Sequence, residues 1–347
     1  MKYFFVLLII VCIILPGCEK QEKTKITKLK VGMILDTGGD SDKGFNEYSL
    51  QGAKNAAEKA GIEFEYLISE STSIFERNIE KVIKEGADLV FTVGFALANA
   101  TAKAALRYPD RHFVIMDSAY FPGNGCSESV NDCYTEEGGL TNVTSLLFAE
   151  DQPAYLAGVL AACMSKTDII GSVAGYEIPP VVRFVEGFIN GARSVKPGIT
   201  TYKRYIPDFN DPDTGKVVAT DFISKGADVL FCPGGKTGLG GLMAATEARI
   251  MAIGVDVDQY RTFPDARSSL ITSVMKNVDV AAAFAIKSFT QKNLQPGIIY
   301  FSLDKDAVGL APYHDWQDRI SAECTDLVEK ARQRILDTPD ITGVRLN

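Results

Sequence analysis

The chain has 347 residues, 46% of them hydrophobic and 23% charged, with a formal net charge of −8. That composition is ordinary for a folded globular protein. An acidic body argues against nucleic-acid polymers as partners, because those select basic surfaces, but leaves open a small ligand in a cleft of different local charge.

At the amino end, Lys2 precedes an apolar run from Tyr3 to Leu15. The run is shorter than the roughly 20 residues a bilayer-spanning helix needs, so residues 1–17 read as a cleaved secretion signal. Leu15, Pro16, Gly17 and Cys18 resemble a bacterial lipobox, with Cys18 as the lipid-modified first residue of the mature chain. An ordinary signal peptide with a chance cysteine is the alternative. Residues 18–29, polar and rich in lysine, then form a tether between membrane and folded body. What remains is longer than one core usually organises, so two lobes are expected.

The first half opens on VGMILDTGGDSDKGFNEYSLQGA (31–53), a strand, a Gly/Asp loop and a helix. This is the start of a βαβ unit, and ligands in such sheets bind beyond the strand ends. Asp36, Asp42, Phe45 and Asn46 are therefore expected at a site. Strand signals at 31–35, 62–67, 87–93 and 112–116 alternate with helical stretches near 45–60, 73–85 and 95–107. Such alternation argues for a parallel sheet with helices on both faces.

The second half repeats the first. Gly32, Phe45, Gly52, Ala53 and Asp117 return as Gly171, Phe184, Gly191, Ala192 and Asp256, all displaced by 139 residues. GADLVFTVG (86–94) is echoed by GADVLFCPG (226–234). A period this long means duplicated lobes, not a solenoid. Strands are expected near 168–174, 200–206, 227–232, 249–255 and 270–275, with helices near 180–195, 212–225 and 238–247. A helical stretch at 279–292, an apolar run at 298–303 and an amphipathic helix at 316–336 complete the chain. Crossings between lobes are expected around 144–150, 275–280 and 303–312. Lobe 1 is then 30–145 with about 277–303, and lobe 2 is 146–276 with about 304–347. If the lobes face each other, Phe45 and Phe184 approach the cleft from opposite sides and can sandwich a flat ligand. Their alternative is a plain core position on an amphipathic helix.

Signals for catalysis are few. His112 and His314 are the only histidines, which leaves little for a zinc site or a Ser-His-Asp triad. PGGKTG (233–238) has Leu230 where a phosphate-binding loop needs its first glycine, so Gly234 and Gly235 read as a close-approach loop at a strand end. Asp36, Asp40 and Asp42 partly resemble the aspartate-rich opening of nucleoside hydrolases, which holds calcium, but Gly38 and Gly39 replace an aspartate and a proline of that motif. Asp40 and Asp42 fit helix capping as well as ligand contact. Asp117 and Asp256 fit strand-end caps as well as ligand contact. Of the seven cysteines, Cys126 and Cys133 lie in a loop that a disulfide could close. Cys163 and Cys232 read as small core residues and Cys324 as part of the last helix.

DTGGDSDKGFNE (36–47), PPVVRFVEGFINGA (179–192), IGVDVDQ (253–259) and TSVMKNVDVA (272–281) together resemble the basic membrane protein family of PnrA-type lipoproteins. These are the substrate-binding subunits of ABC importers for purine nucleosides, and the likeness covers essentially the whole mature chain. The resemblance implies the type I periplasmic-binding-protein fold, two doubly wound α/β lobes joined by three crossovers. It implies that Phe45 and Phe184 stack on the purine and that Asp36, Asn46 and Asp117 hydrogen-bond the base. Asp256 and Lys276 would serve the ribose, and Gly234 would contribute backbone. It further implies no catalysis, no cofactor, a permease and a separate ATPase as partners, and an extracytoplasmic, lipid-anchored location. Adenosine, guanosine and inosine are not ranked by it. The rival readings are a calcium-dependent nucleoside hydrolase and a surface interaction lipoprotein.

Overall fold

The computed structural model describes residues 28–344. Residues 1–27, with the signal segment, Cys18 and most of the tether, lie outside them. Among the described residues no helix is long and apolar enough to cross a membrane.

The first sheet is built from β1 (Lys30–Leu35), β2 (Glu63–Ile68), β3 (Leu89–Val93) and β4 (His112–Met116), with α1 (Phe45–Ala60), α2 (Phe75–Lys84) and α3 (Ala98–Arg107) between them. A loop carrying the two-residue strands β5 (Phe121–Pro122) and β6 (Gly125–Cys126) leads to β7 (Val143–Phe148). The chain then passes to α4 (Asp151–Met164), β8 (Ile169–Ala174), α5 (Pro179–Val195), β9 (Thr200–Tyr205), α6 (Pro212–Ser224) and β10 (Val229–Phe231). It continues through α7 (Gly235–Ala248), β11 (Met251–Asp256), the single turn α8 (Gln259–Thr262) and β12 (Leu270–Lys276). Last come α9 (Val278–Thr290), β13 (Gly297–Phe301), β14 (Val308–Leu310) and α10 (Ala322–Asp337).

Two six-stranded sheets result, ordered β13-β7-β4-β3-β1-β2 and β14-β12-β11-β10-β8-β9. All neighbours run parallel except the edge strand β14, which pairs antiparallel with β12. The strands read as unbroken apolar runs because both faces are covered. In β1, Met33 and Leu35 enter one core while Ile34 enters another with Val90 and Phe113.

In each sheet the strand order reverses once, between β1 and β3 in the first and between β8 and β10 in the second. A crevice opens at the carboxyl ends of the strands at such a point. The chain crosses between sheets at 149–150, at 277 and at 302–307. The border drawn after residue 145 therefore moves, because β7 carries the first sheet to Phe148.

The repeat has a packing cause. A Cβ at Gly52 would lie 2.2 Å from the Asp279 carbonyl oxygen, and one at Gly191 would lie 2.0 Å from that of Tyr155. So α1 is pressed against α9, and α5 against α4. Both partners are the helices that follow a crossing, and only glycine admits that approach.

The sequence leaves α4 unassigned, because twelve of its fourteen residues are buried and no polar face marks a helical period. The stretch around 144–150, expected as a crossing, is mostly strand β7. The helix expected from 316 starts at Ala322.

Cys126 and Cys133 are bonded. Cys163 is a correction: it is not a plain core residue but forms a disulfide with Cys324, tying α4 to α10 across 161 residues of sequence. Cys232 is free and buried. Bridging so long a loop restricts the unfolded chain, and the Cys163→Ser, Cys324→Ser double variant should lose about 2–5 kcal/mol of stability. Urea denaturation checks this, and an unchanged midpoint would contradict it.

Candidate functional site

The two crevices face one another, and the cleft between them spans about 680 Å³ including the space at its mouth. All nine residues expected at a site, Asp36, Asp42, Phe45, Asn46, Asp117, Phe184, Gly234, Asp256 and Lys276, line this one cleft.

Its lobe 1 wall begins where β1 ends. Asp36 Oδ1 accepts hydrogen bonds from the Gly38 amide at 2.9 Å and from Asn46 Nδ2 at 2.9 Å. Asp42, two residues before the first turn of α1, accepts from the amides of Gly44, Asn46 and Glu47 at 3.0, 2.8 and 3.1 Å. It thus caps the first turn of the helix, and it also lines the cleft. Asp40 points elsewhere, accepting from the exposed Tyr66 hydroxyl at 3.1 Å. The three aspartates therefore do not converge, and among the described residues no group of acidic, His or Cys side chains is arranged to hold a metal. Neither histidine lines the cleft: His112 bonds Thr144 and His314 pairs with Asp258.

Asp117 and Asp256 sit at the ends of β4 and β11 with φ of 68° and 65°, so the repeat preserves a left-handed turn at both. That conformation is unfavourable for any residue with a Cβ, and Asp is among the few that adopt it. Asp256 faces lobe 1, where a Cβ on Gly44 would lie 3.8 Å from its Oδ2.

At the back of the cleft is a buried charge network. Lys276, 2% exposed, donates from Nζ to Asp117 Oδ2 at 2.6 Å and to Glu150 Oε1 at 2.8 Å. Arg183 Nε meets the other Glu150 oxygen at 2.6 Å. Lys276 is thus a buried lysine, not a solvated surface one. Burial disfavours its charge, but Asp117 and Glu150 outweigh that and raise its pKa. Burial likewise acts against the Glu150 carboxylate, yet Lys276 and Arg183 hold its pKa below the ordinary value. The Asp256 carboxyl has no such partner in contact, and burial pushes it up to about 7. Burial pushes Asp36 up to about 6 against the hydrogen bonds from Gly38 and Asn46.

Lys276 Nζ also lies 5.1 Å from the Phe45 ring centre and 5.7 Å from that of Phe184. The two rings therefore flank one point from opposite lobes. Phe45, first residue of α1, is half-buried, whereas Phe184 is 4% exposed and meets Phe231 edge-on at 6.1 Å. Phe184 belongs to the core and also lines the cleft.

Three lobe 2 side chains close the mouth. Asn210 Nδ2, Lys236 Nζ and Thr262 Oγ1 donate to the carbonyls of Thr37, Gly38 and Lys43 at 3.3, 3.2 and 3.1 Å. The lobes are closed on each other, with the 37–43 loop as the contact. Sequence reasoning passed over Glu150, Phe95, Phe209 and these closing residues. Phe95 follows the first GAD…G echo at the place where the second copy has Gly235, and Phe209 has no counterpart in the repeat. Symmetry could not reveal either.

Residues 29–342 match the family described as ABC transporter substrate-binding protein PnrA-like. The chain is 31% identical to the ABC transporter nucleoside-binding protein BmpA of Lactococcus lactis subsp. cremoris, over 93% of each chain. It is also 31% identical to the CD4+ T-cell-stimulating antigen of Listeria innocua, over 88% of this chain and 86% of that one. Among solved structures it superposes on an ABC transporter system solute-binding protein of Aeropyrum pernix K1 with a TM-score of 0.77 at 26% identity, covering 90% and 92% of the two chains. The fold is the type I periplasmic-binding-protein fold expected from the sequence.

The sign of the pH dependence follows from Asp256. With its pKa raised on folding, the folded protein holds a proton that the unfolded chain releases near pH 4, so this group destabilises the fold increasingly as pH rises from about 4 to about 7. Asp256→Asn should stabilise the empty protein at pH 8 by a few kcal/mol, and the gain should shrink as pH falls toward 5. Thermal melts at both pH values check it.

Proposed function

The chain belongs to the PnrA-like family of ABC transporter substrate-binding proteins, and from that premise we propose that it captures a purine nucleoside between its lobes. It is a binding protein and not an enzyme. The nucleoside-hydrolase reading of Asp36, Asp40 and Asp42 falls with the family and with the separate tasks those aspartates perform.

The observation that carries the proposal is the pairing of Phe45 and Phe184 across a closed cleft, one ring from each lobe. Two such rings suit the two faces of a planar base, and each stacking contact is worth about 1–3 kcal/mol. The polar groups around them suit the rest of a nucleoside. Asn46, Asp36 and Asp117 on lobe 1 offer hydrogen bonds to a base edge. Asp256 and Lys276 stand on lobe 2, where a carboxylate with two oxygens matches a vicinal diol. Gly234, at the start of α7, lets the backbone come close. Cys18 then anchors the protein by lipid outside the cytoplasm, the 18–29 tether holds it near a permease, and a separate ATPase chain powers transport. Delivery needs the lobes to part, a hinge motion about the three crossings.

Isothermal titration of the protein with a nucleoside panel, after unfolding and refolding to strip copurified ligand, tests this. One or more purine nucleosides should bind with no free base released. Phe45→Ala should weaken that binding about tenfold to a hundredfold. Phe184→Ala should do the same and also lower stability by about 3–5 kcal/mol, because its ring is part of the core. No heat with any nucleoside, from protein shown to be folded, would overturn the proposal.

A further inference from the structure

We propose that His314, which lies outside the cleft, is a positioning residue for ligand capture: it anchors the turn 257–262, whose last residue closes lobe 2 on lobe 1, and so sets how long a bound ligand stays. The inference rests on the reading above that the lobes close on a nucleoside.

The segment from Asp256 to Thr262 meets lobe 1 at both ends. Asp256 faces Gly44, and the Thr262 hydroxyl donates to the Lys43 carbonyl at 3.1 Å. Between them α8 is a single turn of four residues. The amides of Arg261 and Thr262 donate to the Asp258 carbonyl, and that of Phe263 to the Gln259 carbonyl. So short a helix is not stable by itself, and its place depends on what its side chains hold.

Those holds are unequal. Gln259, 4% exposed, ties the start of α8 to the second sheet: its amide donates to Ser273 Oγ at 3.1 Å and its side-chain oxygen accepts from the Val255 amide at 2.9 Å. Arg261 reaches Asp258 at 3.1 Å but belongs to the turn itself. Arg267, which donates to the Tyr260 carbonyl at 2.7 Å, is exposed and comes from just after the turn. His314 comes from a distant part of the chain, beyond β14 and the third crossing. Its Nε2 lies 2.9 and 3.1 Å from the two carboxylate oxygens of Asp258, and its ring stacks on Tyr260 with centres 4.0 Å apart and planes 12° from parallel. One residue thus grips the turn at two of its side chains. The His314 backbone is left-handed, with φ of 47°, a conformation unfavourable for a residue with a Cβ.

Opening the lobes must break the bond from Thr262 to Lys43. A turn free to shift makes that bond less often, which lowers the advantage of the closed state while every group facing the ligand stays as it was. The loss falls on dissociation, because a ligand entering the open cleft meets lobes that do not yet share this bond.

Stopped-flow kinetics of the ligand-stripped protein with a purine nucleoside, arranged as a double-mutant cycle, tests this. Thr262→Val should speed dissociation roughly threefold to tenfold and leave association unchanged. His314→Asn removes the ring yet tolerates the left-handed backbone, and it should act in the same way. In a Thr262→Val background it should add less than about a twofold effect, because the contact it acts through is already lost. Unchanged dissociation in His314→Asn would overturn the inference. So would a full additional effect on top of Thr262→Val, or slower association, either of which marks a merely structural role. Amide hydrogen exchange of the empty protein separates this inference from the nucleoside reading: exchange at Arg261 and Thr262 should be at least about tenfold faster in His314→Asn. Unchanged exchange there would overturn the inference whether or not nucleosides bind. Faster exchange in a protein that binds no nucleoside would overturn the nucleoside reading and leave the hold of His314 on the turn in place.

Discussion

One buried ammonium holds the arrangement together. Lys276 ends β12 one residue before the second crossing, and its two carboxylate partners come from elsewhere: Asp117 from the end of a lobe 1 strand, Glu150 from the first crossing. Arg183 on α5 completes the network from lobe 2. Two positive and two negative groups so placed are tolerable only together, because removing one leaves a charge buried without a partner. The same nitrogen lies within 6 Å of three aromatic rings, Phe45, Phe148 and Phe184. A group that joins both lobes, touches two of the three crossings and sits between the aromatic walls ties the state of the hinge to the state of the cleft.

The duplicated architecture explains why such a point exists. Each lobe opens a crevice where its strand order reverses, and each is followed by a crossing helix pressed on the helix that carries the aromatic residue. Gly52 and Gly191 set how close those helices come, and so where Phe45 and Phe184 stand. Asp117 and Asp256 repeat the same left-handed turn beyond corresponding strands. Their surroundings differ: burial raises the pKa of both, but Asp117 is paired with Lys276, which works against that rise, while Asp256 has no cation in contact and is pushed up to about 7. A near-symmetric frame thus supplies an asymmetric site, as an asymmetric ligand requires.

Much of this was legible in the sequence, and the limits were physical. Strands buried on both faces show as apolar runs, and the 139-residue displacement brought Phe45, Phe184, Asp117 and Asp256 together before any coordinates. Elements without a periodic signal were not legible. Buried on every side, α4 has no polar face, and β7 lay in a stretch expected to be a crossing. The Cys163–Cys324 bond joins residues that nothing in their spacing connects. Glu150 is one acidic residue among many until the fold closes around it. Asn210, Lys236 and Thr262 act on backbone carbonyls of the 37–43 loop, so no matching side chain marks their partner.

The central claim is that ligand is held by closure of two lobes about a shared hinge. Small-angle X-ray scattering of the ligand-stripped protein during titration with a purine nucleoside tests it most directly. The account predicts a radius of gyration that falls as nucleoside is added and levels off with the same midpoint as binding heat. Binding heat with no change in that radius would contradict it, since the ligand would then be entering a cleft that neither opens nor shuts.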